Sequence, residues 1–260
     1  APLHLHGITS LEEEEATRVA ERYGFERVYP DLDALMADDA IDAVAVAITP
    51  AALHDVMIRL VTLGLPLFSE KPLGISAAEG KSLSERVTVP SVLAFNRRYV
   101  PLNNTFKEQV EAMDDFYFIE GHFLRHRRED EAFMIGTGIH WINYLTYLFG
   151  EIRHVGTTRY RNPIHDTWVW IGDLIFANGL RGLIKVFPCT GSQHERLEVH
   201  SNACSTYLDG PLWENPGRII IEKGDNRRVI APETKNRQPE IVRLGIVGEY
   251  EEFLDVVRRG

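Results

Sequence analysis

The stretch Asp42-Ala43-Val44-Ala45-Val46-Ala47-Ile48 is apolar at every position after the first, and Thr49-Pro50 follows at once. Such a run has no polar face to leave in water. As a strand it must be covered on both sides, as in a parallel sheet between two layers of helices. A second apolar stretch, Leu65 to Ser69, leads into Glu70-Lys71-Pro72. Proline has no N–H to give a ladder, so the strand stops there. A carboxylate and an ammonium are left at its carboxyl end.

Strands and helices alternate around these two runs. Leu3 to Ile8 reads as a strand, and Leu11 to Tyr23 as a helix capped by Ser10, with Glu12 to Glu15 in the first turn where the dipole favours acids. Val28-Tyr29 is a short strand, and Asp31 caps a helix over Leu32 to Ala37. Ala51 to Leu63 is a helix closed by Gly64. Ser76 with Glu79 forms a capping box for a helix reaching Val87. Val89 to Phe95 is a strand that ends at Asn96-Arg97-Arg98. This alternation predicts a doubly wound parallel sheet. The polar strand ends Thr49-Pro50, Glu70-Lys71 and Asn96-Arg97-Arg98 are expected along one carboxyl edge, where open α/β sheets bind ligands.

The second half changes pattern. A helix runs from Pro101 to about Met113, and Phe116 to Leu124 alternates as a strand ending in Arg125-His126-Arg127-Arg128. Phe133 to Phe149 reads as one apolar helix holding Gly136, Gly138 and His140. Strand-like runs follow at Val155–Tyr160, Trp168–Phe176, Leu183–Phe187, Arg196–His200, Arg218–Glu222 and Arg228–Ile230, and Gly248 to Arg259 is a final helix. With no helices between them, these strands should pair mainly antiparallel. The expected fold class is α/β plus α+β: a Rossmann-like parallel-sheet domain over residues 1–98, then a mainly antiparallel sheet domain over residues 99–260.

A formal charge of −10 argues against nucleic acid or an anionic membrane as partner. No apolar run approaches the roughly 20 residues that cross a bilayer. The two cysteines, Cys189 and Cys204, form no disulfide framework, so a reducing, cytoplasmic setting is expected. The histidines are scattered without ligand spacing, and no metal site is expected.

Four segments carry a resemblance: Ile48-Thr49-Pro50 with His54, Ser69-Glu70-Lys71-Pro72, Asn96-Arg97-Arg98-Tyr99 with Pro101, and Gly138-Ile139-His140. In their order and spacing the chain resembles the Gfo/Idh/MocA oxidoreductases, the glucose-fructose oxidoreductase and inositol dehydrogenase family. The resemblance implies NAD or NADP as cofactor and a sugar, cyclitol or related polyol as substrate. It also implies a second domain that assembles into a dimer or tetramer. Lys71 and His140 take catalytic roles. Oxidation of an alcohol carbon removes a hydride and a hydroxyl proton; a histidine suits the proton, and an ammonium suits the developing oxyanion. Ser10, Thr49, Pro50, His54, Glu70, Lys71 and Asn96 are the implied cofactor contacts. Arg98, Arg125, Asn143 and Tyr144 are the substrate candidates. On a helix Asn143, Tyr144 and Tyr147 share a face with His140.

Plainer readings stand beside these. Lys71 could simply pair with Glu70, His140 could be a core histidine, and His54 could serve packing. Arg97 and Arg98 could be solvated, and Arg125 to Arg128 could be a solvated loop rather than an anion clamp. The chain also departs from the family pattern. Gly136 stands where an aspartate is usual four residues before the histidine, and Asn143 replaces another three residues after it. Ser10 stands in place of the acid that usually meets the adenosine ribose, which leaves NADP open. No Gly-x-Gly-x-x-Gly run occurs in these residues. The expectation is that the first Rossmann strand with that turn precedes Ala1, and that the last helix continues past Gly260. A member that has lost redox chemistry and serves as a binding or scaffold protein is the alternative.

Overall fold

The computed structural model describes residues 3–232 and 239–259. The chain divides into two compact units, one of Ala1–Leu93 with Phe253–Gly260, the other of Ala94–Glu252. The division anticipated from sequence lay at 98/99 and gave all later residues to the second domain.

In the first unit, strand β1 (Gly7–Ile8) leads to helix α1 (Glu13–Tyr23), then β2 (Arg27–Val28) and α2 (Leu32–Met36). β3 (Val44–Val46), α3 (Pro50–Leu60), β4 (Leu67–Ser69), α4 (Ala77–Ser84) and β5 (Val92–Leu93) follow. All the pairings are parallel: β1 with β2, and β3–β4–β5 as a three-stranded sheet. Among the described residues the two sheets are not joined by a ladder. The strands are shorter than the apolar runs predict. The core beneath the larger sheet is Val46, Leu53, Met57, Leu60, Leu67 and Leu83, so the buried face of α3 meets the inner sides of β3 and β4. Ser76 caps α4 as expected, accepting the Glu79 N–H at 3.2 Å, while the Glu79 carboxylate takes the Ile75 N–H. Ser10 does not cap α1. It accepts the Glu12 N–H at 3.2 Å in the preceding loop, and the helix starts at Glu13.

The second unit carries α5 (Pro101–Glu111), β6 (Phe118–Leu124) and α6 (Ile139–Phe149). Strands β7 (Ile152–Arg161), β8 (Trp168–Phe176), β9 (Arg181–Phe187), β10 (His194–His200), β11 (Ser205–Asp209), β12 (Arg218–Lys223) and β13 (Asn226–Ile230) follow. They form one eight-stranded sheet in the order β13-β12-β11-β10-β6-β9-β8-β7. Every pairing is antiparallel except β6 with β9. Inward residues alternate along each central strand, as with Ile119 and Phe123 on β6 and Leu197 and Val199 on β10. They pack with Phe106 and Val110 of α5 and with Trp141 and Leu145 of α6.

Two features of this unit depart from the sequence reading. The helix expected over Phe133 to Phe149 opens with a π-helical stretch, Met134–Gly138, before α6 begins. A Cβ on Gly138 would fall 2.7 Å from the Met134 sulfur, so the flexible methionine side chain would have to shift to admit one. Helix α7 (Glu240–Arg243) precedes α8 (Ile246–Arg259). Gly245 between them has φ +80°, and a Cβ there would fall 2.2 Å from the Asn96 carbonyl oxygen.

Candidate active site

The anticipated residues fall into two groups, one in each unit. In the first unit β3, β4 and β5 are parallel neighbours, so their carboxyl ends form one edge. The ladder runs one residue past β4, because the Glu70 N–H donates to the Val46 carbonyl at 3.1 Å. Lys71 follows, half-buried and joined to Pro72 by a cis peptide bond. Thr49 precedes α3 with extended backbone, and Pro50 opens the helix, where its missing N–H leaves no bond unmade. The Thr49 side chain makes no capping hydrogen bond. His54, one turn in, faces Asp55 through Nδ1 at 3.3 Å, and its buried Nε2 has no hydrogen-bond partner among the described residues. Ser10 lies exposed in the loop after β1.

In the second unit His140, Asn143 and Tyr147 project from α6 toward the segment after β5. Arg98 is held from three sides. Its Nε donates to the Asn143 side-chain oxygen at 2.8 Å, and its guanidinium lies 5.2 Å from the Tyr147 ring and 5.9 Å from that of Phe95. Phe95 in turn meets the His140 ring edge-on at 6.0 Å. Arg98, Asn143 and His140 thus form one polar cluster with two aromatic walls. Asn96 is engaged at both ends of its amide: Nδ2 donates to the Leu244 carbonyl at 2.8 Å, and Oδ1 accepts from Arg97 at 2.9 Å.

Two substrate candidates belong elsewhere. Tyr144 is 1% exposed, and its hydroxyl donates to the Asn103 carbonyl at 3.3 Å. At 3.6 residues per turn it lies about 40° from His140 on the side of Trp141, the core side. Burial pushes its hydroxyl pKa well above the usual value. Arg125 is also buried and ion-paired with Glu195, with its guanidinium 3.8 Å from the Phe123 ring. Arg97 reaches the same carboxylate with two nitrogens, at 2.5 and 3.2 Å. Burial pulls the Glu195 carboxyl upward, but Arg97 and Arg125 outweigh it, and the group lies below the usual carboxylate range. Glu195 did not stand out in the sequence reading. The signal for it is an acid at an inward position of a strand, in step with Leu197 and Val199.

Gly136 lies in the π-helical stretch, and a Cβ there would meet nothing within 4 Å. Packing alone does not explain the missing carboxylate. Two further groupings were not anticipated, one of them Glu129, His165 and Cys189 in the second unit. His4, His6 and Glu26 bring three ligand-type atoms within 4.8 Å of one another, against the sequence expectation of scattered histidines.

The model for the oxidoreductase family with an NAD-binding Rossmann fold, GFO_IDH_MocA, matches residues 2–95. Over those residues the chain matches the Gfo/Idh/MocA oxidoreductases. It is 28% identical to the scyllo-inositol 2-dehydrogenase (NAD(+)) of Bacillus subtilis strain 168 over 269 residues, which is 94% of this chain and 76% of that protein. It is 28% identical to the myo-inositol 2-dehydrogenase of Thermotoga maritima over 131 residues, 49% of this chain and only 38% of that protein. Among solved structures, levoglucosan dehydrogenase in complex with NADH and levoglucosan shares the fold with a TM-score of 0.81 at 19% identity, covering 99% of this chain and 82% of that one. The Gfo/Idh/MocA fold, a Rossmann-like parallel sheet followed by a mainly antiparallel sheet, is the one seen here.

The residues present fit part of a dinucleotide. The carboxyl edge offers a helix start without a capping side chain and a buried imidazole nitrogen without a partner, both suited to polar ligand groups. The glycine turn that cradles a pyrophosphate does not occur in these 260 residues.

Proposed function

We propose that this protein is an NAD(P)-dependent oxidoreductase acting on a hydroxyl carbon of a sugar, cyclitol or related polyol. The observation that carries it is the position of Lys71. It follows β4 by two residues at the carboxyl edge of the parallel sheet, inside the segment matched by the NAD-binding family model. When bound, the nicotinamide supplies the hydride acceptor or donor. Thr49, Pro50, His54 and Glu70 would contact the cofactor, with Ser10 and Asn96 as outlying candidates. Lys71 would orient the reacting hydroxyl and stabilise negative charge on its oxygen, and His140 would hold or release its proton. Arg98 and Asn143 would hydrogen-bond neighbouring hydroxyls. Asn143 can donate and accept but cannot take up a proton, so any relay from His140 is shorter than the family pattern. That departure, with Gly136, favours the second reading: a member without redox chemistry that binds a polyol as a scaffold. The charge of −10 disfavours nucleic-acid and anionic-membrane partners, two unpaired cysteines suit a cytoplasmic setting, and the family resemblance implies a homo-oligomer, dimer or tetramer. Among the described residues no helix is long and apolar enough to cross a membrane.

The test is thermal denaturation of the full-length protein with NAD or NADP, paired with a turnover screen over sugars and cyclitols. A cofactor at about 100 times its Kd adds about 2.7 kcal/mol of stability. A rise with either nicotinamide, with reduction of that nicotinamide as one polyol is oxidised, is expected. No rise with either removes the oxidoreductase reading. A rise without turnover on any polyol supports the scaffold.

A further inference from the structure

The His4–His6–Glu26 group lies in the first unit, away from the carboxyl edge that carries Lys71. It follows from strand geometry. His4 and His6 are two residues apart on the extended segment leading into β1, so their side chains leave on the same side. The parallel neighbour supplies the third residue. The Glu26 N–H donates to the Leu5 carbonyl at 3.1 Å, which sets Glu26 beside the residue between the two histidines.

The hydrogen bonds around His6 decide what this group can bind. Asp38 is a heavily used acceptor. Its Oδ2 takes the Tyr29 hydroxyl at 2.6 Å and Arg27 at 2.7 Å, and its Oδ1 takes the Ala40 N–H at 2.9 Å. The same Oδ2 stands 3.1 Å from His6 Nε2. A carboxylate can only accept, so in the neutral ring the hydrogen sits on Nε2 and the lone pair on Nδ1. That lone pair faces Glu26 Oε2 at 3.8 Å. In that tautomer two electron-rich atoms lie 3.8 Å apart, beyond hydrogen-bond reach of each other. The other Glu26 oxygen, Oε1, lies 2.7 Å from His4 Nε2. Ligand atoms about 2.0–2.1 Å from a tetrahedral metal are about 3.3 Å from one another, and the two separations seen here bracket that value.

We propose that His4, His6 and Glu26 form a three-ligand site for a borderline divalent cation of the zinc type. Two neutral imidazoles and one carboxylate suit zinc and its neighbours rather than calcium or magnesium. Asp38 is the outer partner that orients His6, the carboxylate–histidine arrangement common behind metal ligands. His4 and Glu26 have side chains 63% and 55% exposed, so both can turn onto the ion without disturbing the core. A fourth position is left for water.

The test is calorimetric titration of the metal-stripped, tag-free full-length protein with zinc, with the visible spectrum of the cobalt-loaded protein as a second readout. A single equivalent is expected to bind, with tetrahedral cobalt bands. Glu26→Gln and His4→Ala should each lower zinc affinity by about tenfold or more. His154→Ala, a control histidine on β7 that belongs to no such grouping, should leave it unchanged. Melting temperatures within about 2 °C of the parent confirm that the two exposed-site variants fold. No binding of zinc, or equal affinity in parent and both variants, overturns the proposal.

Discussion

Replacing Glu195 by glutamine tests the account of the Arg97–Glu195–Arg125 triad. The carboxylate side chain is 5% exposed, and those of Arg97 and Arg125 are 16% and 8% exposed. Glutamine keeps the shape but removes the only negative charge of the three. Two guanidiniums then face one another out of water. Breaking a buried ion pair on one side costs about 3–5 kcal/mol. At about 2–4 °C per kcal/mol for a domain of this size, the melting temperature should fall by roughly 6–20 °C. The pH dependence is a second signature. In the folded protein the Glu195 carboxyl lies below its ordinary value of 4.5. The unfolded chain therefore takes up the proton first as pH falls. The stabilisation is fully present above that ordinary value and is lost as pH drops toward and through the folded-state value. Glutamine has no such titration, so the gap between parent and variant should be widest near neutral pH and shrink in acid. Differential scanning calorimetry from pH 7 to pH 3 measures both. A loss under about 2 °C at pH 7, or a gap independent of pH, would refute the reasoning.

Two other substitutions separate site from scaffold. Lys71→Ala should abolish turnover, by about 100-fold or more if it removes an oxyanion-stabilising charge, and leave the melting temperature nearly unchanged; an unchanged kcat on the identified polyol would end the role given to it. Tyr144→Phe removes one long hydrogen bond, to the Asn103 carbonyl, and should lower stability by about 0.5–1.5 kcal/mol in urea titration without altering KM. A raised KM would return Tyr144 to the substrate.

The parallel half was readable because its strands carry apolar residues on both faces and its helices carry side-chain caps, as Asp31 and Ser76 show. These are local signals. The failures are where partners come from afar. β11 was missed because Ser205-Thr206-Tyr207-Leu208-Asp209 points only a threonine and a leucine inward. It is a strand because β10 and β12 supply ladders on both sides. The π-helical stretch Met134–Gly138 continues straight into α6, so the apolar periodicity of the segment reads as one helix and carries no sign of the wider turn. Of the candidate residues, Arg98, Asn143 and His140 come together as helical spacing suggests. Arg125 and Tyr144 turn inward because a buried acid and a core-facing helix flank claim them. The His4–His6–Glu26 grouping needed the register of β1 against β2, which no local pattern supplies.

The order of the large sheet bears on how the second unit is assembled. β7-β8-β9 and β10-β11-β12-β13 are each simple meanders that can form from neighbouring chain. Yet β9 and β10, consecutive along the chain, sit about 10 Å apart, two strand spacings, because β6 lies between them. β6 is made first and seated between two partners made later, so its pairings carry the long loop closures of this unit. During synthesis it waits with both edges bare. A chain released after Phe187 has β9 to cover one side of β6 and nothing on the other. Such a fragment should recruit strands from other copies, so truncations of this protein belong before β6 or after β13.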